Sequence, residues 1–260
     1  MQDNLIHETA IIEPGAKIGN NVRIGAYSLI GADVEIGDDC QINSHVVIKG
    51  PTTVGKNNRF FQFASIGEEC QDLKYAGEPT QLTIGDNNIF RECTTIQRGT
   101  VQDNSLTAIG SNNLFMAYIH VAHDCIIGNH CIMANNASVA GHVQVGDWVI
   151  LGGMSGVHQF CKIGSHAFVG ATSLVLKDIP PFVMASGNSA SPFGLNSEGL
   201  KRRGFDKETI LNVRRAYKIL YRQGLHADEA IEKMQDLASQ TPQVADFANF
   251  VKDSARGIIR

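Results

Sequence analysis

The sequence predicts a parallel β-helix, an all-β solenoid, followed by a small helical unit. Three observations predict it. Aliphatic residues recur every six positions over most of the chain, glycine commonly follows them, and beyond about residue 180 the apolar spacing becomes helical. The first series runs through Ile6, Ile12, Ile18, Ile24, Ile30, Ile36, Ile42, Ile48, Val54, Phe60 and Ile66, and returns in phase at Ile84, Phe90 and Ile96. A second series, shifted by one residue, runs from Ile109 through Phe115, Val121, Ile127, Met133, Val139, Val145, Leu151, Val157, Ile163 and Val169 to Val175.

A six-residue period fits neither a helix nor the two-residue alternation of an ordinary strand. It is the hexapeptide pattern, in which a short strand and a turn fill each hexad. Three hexads close one triangular coil, so each aliphatic residue stacks on the one 18 positions earlier at the strand spacing of about 4.8 Å. The position four after each aliphatic residue is a second inward site, with small or medium side chains such as Val22, Ser28, Val34, Ala64 and Ala137. Cys40, Cys70, Cys125, Cys131 and Cys161 fall there and Cys93 lies one place off, which reads as reduced packing residues. Glycine makes up 26 of 260 residues and charged residues 18%, against usual values of about 7% and about 25%. The glycines are expected where a turn adopts positive φ or where backbones crowd.

Residues 67–83 and 98–108 lose the hexad and are expected as loops extruded from the coils, the second producing the one-residue shift. Such insertions project from one face of a solenoid and often carry function. Asp178-Ile179-Pro180-Pro181 is expected to stop the repeat, with a turn-rich linker over Phe182 to Pro192. Asp206 then caps a helix expected over 207–223, ended by Gly224. Further helices are expected over 227–239 and from Pro242 to Ala255, with a short one around 196–203. The expected organisation is thus 1–180 β-helix and 181–260 linker with a C-terminal helical domain.

A net charge of -4 argues against a general nucleic-acid binder. No apolar run approaches the roughly 18–20 residues of a membrane span, and the start Met1-Gln2-Asp3-Asn4 is unlike a secretory signal. A cytoplasmic location is expected.

Four histidines outside the inward positions cluster within 39 residues: His120, His123, His142 and His158. Subtracting one coil sets His142 beside position 124 and His158 beside position 140. The four are therefore expected on neighbouring coils, within roughly 5–10 Å of one another. One surface histidine is commonplace; four along one edge point to chemistry. Two chemistries fit. One imidazole, oriented by Asp124, acts as a general base on a hydroxyl that attacks an activated acyl group, or His120, His123 and His142 ligate a metal. The first is favoured, so neither metal nor cofactor is expected.

The segments His120-Val-Ala-His-Asp-Cys125, Ala140-Gly-His142, Gly156-Val-His-Gln-Phe160, Ala64-Ser-Ile-Gly-Glu68, Gln71-Asp-Leu-Lys-Tyr-Ala-Gly-Glu-Pro79 and Asn196-Ser-Glu-Gly-Leu-Lys-Arg-Arg-Gly204 resemble the acyl-[acyl-carrier-protein]–UDP-N-acetylglucosamine O-acyltransferases of lipid A synthesis. The resemblance runs from Ile6 to Arg260. It implies a left-handed coil and a homotrimer with active sites between adjacent β-helices. It implies transfer of an (R)-3-hydroxyacyl chain from acyl carrier protein to the 3-hydroxyl of UDP-N-acetylglucosamine.

Carried onto this sequence, the resemblance implies His123 as the base, assisted by Asp124, with the backbone N–H of Gly141 holding the oxyanion. His120, His142, His158 and Gln159 would line the cleft, and Lys74 would reach the substrate from the first loop. Asn196, Glu198 and Arg202 would bind the acyl hydroxyl or the nucleotide. Lys201, Arg203, Lys207, Arg214 and Arg215 make a basic stretch expected to steer an acidic carrier protein. Ala171 stands where long-chain members have glycine, and Ser189 replaces another residue associated with the chain's far end. A shorter hydroxyacyl chain is expected, because an added methyl in a narrow groove costs roughly 1–3 kcal/mol. The rivals are an N-acyltransferase, whose extra N-terminal domain has no counterpart before Ile6, a carbonic anhydrase-like metal hydratase, and a non-catalytic scaffold.

Overall fold

The computed structural model describes residues 5–260; the start Met1–Asn4 lies outside the described residues. Three sheets of eleven, nine and eight strands, parallel except for the last strand of the first, form the three walls of a β-helix. Leu5 pairs with Arg23, Arg23 with Gln41 and Gln41 with Arg59, each step 18 residues. Arg59 then pairs with Ile89, and Ile89 with Leu114. Those steps are 30 and 25, so the two interruptions insert 12 and 7 residues. Only the second is not a multiple of six, which is why the phase shifts by one. The loops themselves are shorter than their sequence signal. The first lies between strands Ser65–Glu68 and Gln81–Ile84, the second between Thr95–Gln97 and Leu106–Ile109.

The inward series forms one narrow core. Ile24, Ile30, Ile48, Ile66 and Ile96 are buried, and Phe60, Phe90 and Phe115 stack with centroids 4.8 and 4.9 Å apart. At the second inward site Asn58, Asn88 and Asn113 form a buried ladder, Asn88 Nδ2 donating to Asn58 Oδ1 at 3.0 Å. Their side chains also tie down the carbonyls of Gly85, Gly110 and Gly128, so the core admits polar groups only where each finds partners. All six cysteines are free. Burial pushes the Cys40 thiol up to about 11 and those of Cys125 and Cys131 up to about 12, which suits packing and opposes a thiolate nucleophile.

The glycines obey only half of their expected rule. Positive φ falls three residues after most of the aliphatic residues and, Gly15 apart, on other residue types, including Asn21, Asp39, Asn57, Asp124 and His142. Asn and Asp tolerate that conformation best. Except at Gly67, with φ 71°, the glycine directly after the aliphatic residue answers to crowding instead: a Cβ on Gly25 would lie 2.6 Å from Ser44 N in the coil above.

Residues 182–192 are not a free linker. Val183–Ser186 pairs in parallel with Phe168–Val169 and antiparallel with Ser191–Leu195. The last coil would otherwise present an open strand edge, and this hairpin covers one wall of it. Four helices follow: α1 (Ser197–Arg202), α2 (Lys207–Arg222), α3 (Ala227–Gln240) and α4 (Pro242–Lys252). Asp206 caps α2, its Oδ1 accepting from Thr209 N at 2.8 Å. Helix α4 ends three residues before the expected Ala255, because the chain turns back to bury Ile258 and Ile259 and to bridge Ile258 with Asp178.

His166 joins the helical unit to the coils. Its ring meets Phe205 edge-on at 5.0 Å, and Arg203 Nη1 lies 3.2 Å from its Nδ1. Burial and the Arg203 charge hold its pKa down to about 4. An unfolded chain takes up this proton near pH 6.5 while the native state resists until about 4, so acidification between these values favours unfolding. We expect the melting temperature to fall over that window, and to fall less in His166→Phe. Equal falls in a pH-resolved melting series would remove His166 as the cause.

Candidate active site

Strand His120–Val121 lies between Thr95–Gln97 and Ser138–Val139 on one wall. Gly156–Val157 and Leu174–Val175 extend the same wall. A groove of about 490 Å³ runs along it, lined among others by Gln71, His120, His123, Gly141, His158 and Gln159. At the corner after Val121 the turn residue is Asp124, with φ 57°. This turn sets the buried Asp124 carboxylate beside the imidazole of His123, with Oδ2 2.9 Å from Nδ1.

Burial by itself raises the Asp124 carboxyl, but hydrogen bonds from His123 and from the hydroxyl and N–H of Thr100 outweigh it and hold it below the usual carboxylate range. Asp124 is therefore an acceptor at neutral pH, and Nδ1 of His123 donates to it. The neutral ring then carries its free lone pair on Nε2. Thr100, on the second loop, grips Asp124 through N–H contacts of 2.9 and 3.1 Å and a hydroxyl contact of 2.6 Å. Gly141 is one coil beyond His123. A Cβ there would lie 2.5 Å from His123 Cε1 and 2.7 Å from Nε2, so the ring position requires glycine.

His142 stands beside the pair. Its ring meets His123 edge-on at 5.0 Å and stacks flat on Phe160 at 4.3 Å. Its Nδ1 is 2.8 Å from Asp103 Oδ2 and 3.9 Å from Asp124 Oδ2. His120 is half-buried, its Nδ1 2.7 Å from Thr95 Oγ1; burial and then the His123 charge lower its pKa and keep it neutral. His158 is exposed, and its Nδ1 lies 3.4 Å from Arg256 Nη2.

A family model described as UDP N-acetylglucosamine O-acyltransferase, domain 2, matches residues 178–259, and one for bacterial transferase hexapeptide repeats matches 1–32 and 107–141. The structure superposes on LpxA from Acinetobacter baumannii with a TM-score of 0.96 at 53% identity, covering 98% of this chain and 100% of that one. The chain belongs to the UDP-N-acetylglucosamine O-acyltransferase family. The UDP-N-acetylglucosamine O-acyltransferase of Moraxella catarrhalis is similar at 47% identity and TM-score 0.96, covering 98% and 99% of the two chains. The acyltransferase of Francisella novicida is similar at 43% and 0.96, covering 98% and 94%.

Within this O-acyltransferase, the other residues singled out in the sequence do not line the groove of the single chain. Lys74 is exposed on the first loop, its backbone N–H held by Asp72 Oδ1. Asn196 caps α1 by accepting from Gly199 N, and its Nδ2 donates to the carbonyl of His166 at 2.9 Å. Glu198 pairs with Lys201 at 2.7 Å, and Arg202 is exposed. Arg203 departs from its expected role as a solvated docking cation. Its guanidinium lies 5.2 Å from the centre of the Trp148 ring, and burial lowers its pKa. Lys207, Arg214 and Arg215 are exposed along α2, the last two bonding Ser197 and Asn212. Ala171 and Ser189 are exposed near the last coil, with the groove residue Leu174 between them in sequence.

A metal set would consist of His123, Asp124 and His142, whose candidate ligand atoms lie within 4.8 Å of one another. His120 faces Thr95 and is not among them. Asp124 Oδ2 already accepts from His123 and Thr100, and Nδ1 of His142 is engaged by Asp103, so the donors suit proton handling better than a metal cage. Sequence reasoning missed Thr100, Asp103, Thr95 and Arg256. The first two had no signal, because they lie on an insertion where the register cannot be counted. Among the described residues, no helix is long and apolar enough to cross a membrane.

Proposed function

We propose that this UDP-N-acetylglucosamine O-acyltransferase takes an (R)-3-hydroxyacyl chain from acyl carrier protein and places it on the sugar 3-hydroxyl, with His123 as general base. The observation that carries this reading is the His123–Asp124 pair at 2.9 Å, held so that Nε2 is the ring's free lone pair beside Gly141. In this reading Nε2 takes the proton of the sugar hydroxyl as its oxygen bonds to the thioester carbonyl carbon. Asp124 steadies the imidazolium that forms, and the Gly141 N–H receives the tetrahedral oxyanion. Collapse breaks the carbon–sulfur bond, and the carrier's thiolate takes the proton back from Nε2. No acyl-enzyme forms, in keeping with the raised thiols of the buried cysteines.

Neutral His120, with His158 and Gln159, lines the path of the sugar and diphosphate. Arg202, Glu198 and Lys74 are exposed and do not line the groove of their own chain, so this reading places them across the interfaces of a homotrimer, each serving a neighbour's groove. The buried Asn196 instead spends its side chain on capping α1 and on the His166 carbonyl. Lys201, Lys207, Arg214 and Arg215 remain for the acidic carrier protein, without Arg203. The enzyme would work in the cytoplasm, in lipid A synthesis.

The deciding measurement is mass spectrometry of the product from UDP-N-acetylglucosamine and a pool of hydroxyacyl carrier proteins of stepped length. One ester-linked hydroxyacyl adduct is expected, drawn from the shorter chains because of Ala171. A clear preference for the longest chain sinks the Ala171 argument, and the absence of any adduct sinks acyl transfer.

A further inference from the structure

We propose that Asp103 is a positioning residue for acyl transfer: by holding Nδ1 of His142 it keeps that imidazole from competing with His123 for Asp124. The proposal rests on the reading of His123 as the base. Asp103 lies on the second extruded loop, three residues after Thr100, whose hydroxyl and N–H grip Asp124. Two imidazoles therefore face one carboxylate. His123 Nδ1 is 2.9 Å from Asp124 Oδ2, and His142 Nδ1 is 3.9 Å from the same oxygen.

A carboxylate oxygen offers roughly two lone-pair sites, and Oδ2 already accepts from His123, from Thr100 Oγ1 and, at 3.1 Å, from the Thr100 N–H it shares with Oδ1. A further donor arriving from His142 competes with these for an oxygen already fully engaged. Phe160 stacks on His142 with 7° between planes, so the ring plane is set and the carboxylate it meets decides where Nδ1 is engaged. Asp103 Oδ2, at 2.8 Å, is that carboxylate. It keeps the His142 N–H off Asp124 and thereby preserves the hydrogen bond that orients the base. The titratable groups facing His142 are Asp103, Asp124 and His123. The side chain of Asp103 is 37% exposed, so its removal leaves no buried vacancy.

The test makes Asp103→Ala and His142→Phe singly and together, beside His123→Ala, and measures kcat, KM and melting temperature. Phenylalanine suits position 142, because Phe160 occupies the equivalent corner at φ 65°. Asp103→Ala is expected to lower kcat about tenfold, within the range of couplings between touching side chains, with KM for the sugar nucleotide and the melting temperature unchanged. In the His142→Phe background the same change has no further effect. A second readout serves if that background is too slow: the imidazole ¹⁵N shift of His123 Nδ1 moves in Asp103→Ala toward that of a weaker hydrogen bond. Unchanged kcat, equal losses in both backgrounds, or an unmoved shift overturns the proposal, while an inactive His123→Ala leaves the base reading standing. An active His123→Ala overturns both.

Discussion

His123→Ala is expected to lower kcat by about 10²–10⁴-fold, the usual contribution of a positioned general base, and to leave the melting temperature nearly unchanged. The asymmetry follows from where the side chain sits. His123 occupies no inward position of the coil and keeps 13% of its side-chain surface, so its loss opens no cavity in the column of Ile, Val and Phe. Asp124 loses one hydrogen bond but retains those from the hydroxyl and N–H of Thr100. A charged group that keeps its partners stays tolerable in a buried site. The measurement pairs steady-state kinetics with a thermal melt. Retained activity removes the base assignment, and a melting temperature that falls together with kcat turns His123 into a structural residue.

Gly141→Ala is expected to cost about 10²-fold in kcat, again with little loss of stability. The added Cβ would lie 2.5 Å from Cε1 and 2.7 Å from Nε2 of His123, closer than real Cβ contacts come. The nearest atoms all belong to the His123 ring, so the ring yields rather than the coil. A displacement of about 1 Å at a reacting group is enough for a loss of this size. Gly152→Ala is the contrasting case. Its Cβ would strike the backbone N of Ala171 at 2.5 Å, and backbone in a stacked coil has nowhere to go, so the loss there should register in the melting temperature. Equal melting losses in the two variants would refute the claim that Gly141 is reserved for the ring.

The coils were legible in the sequence because their hydrogen bonds repeat at a constant separation. Wherever Gln41 pairs with Arg23 and Arg59, or Ile132 with Leu114 and Ile150, counting by 18 locates the neighbour. The same count set His142 beside Asp124 and His158 beside Ala140, and with them the edge on which the histidines gather. The count fails across an insertion. Thr100 reaches Asp124 over 24 residues and Asp103 reaches His142 over 39, and neither is a multiple of the coil. The glycines show a subtler limit. Their period was visible, but crowding from the coil above and a left-handed turn produce the same one-letter pattern. Only the positive φ at Asp124 and His142 separates the two.

The sequence by itself determined the solenoid, its register, the two insertions, the helices after residue 196 and the edge carrying His120, His123, His142 and His158. Tertiary structure decided the rest: the hairpin Val183–Ser186 with Ser191–Leu195, the withdrawal of Arg203 onto Trp148, and the loop carboxylate of Asp103 that His142 meets. The reason is physical. A repeat encodes its own neighbours at fixed spacing, whereas an edge to be covered, a cation to be stacked and a loop side chain to be oriented find their partners only once the coils have closed.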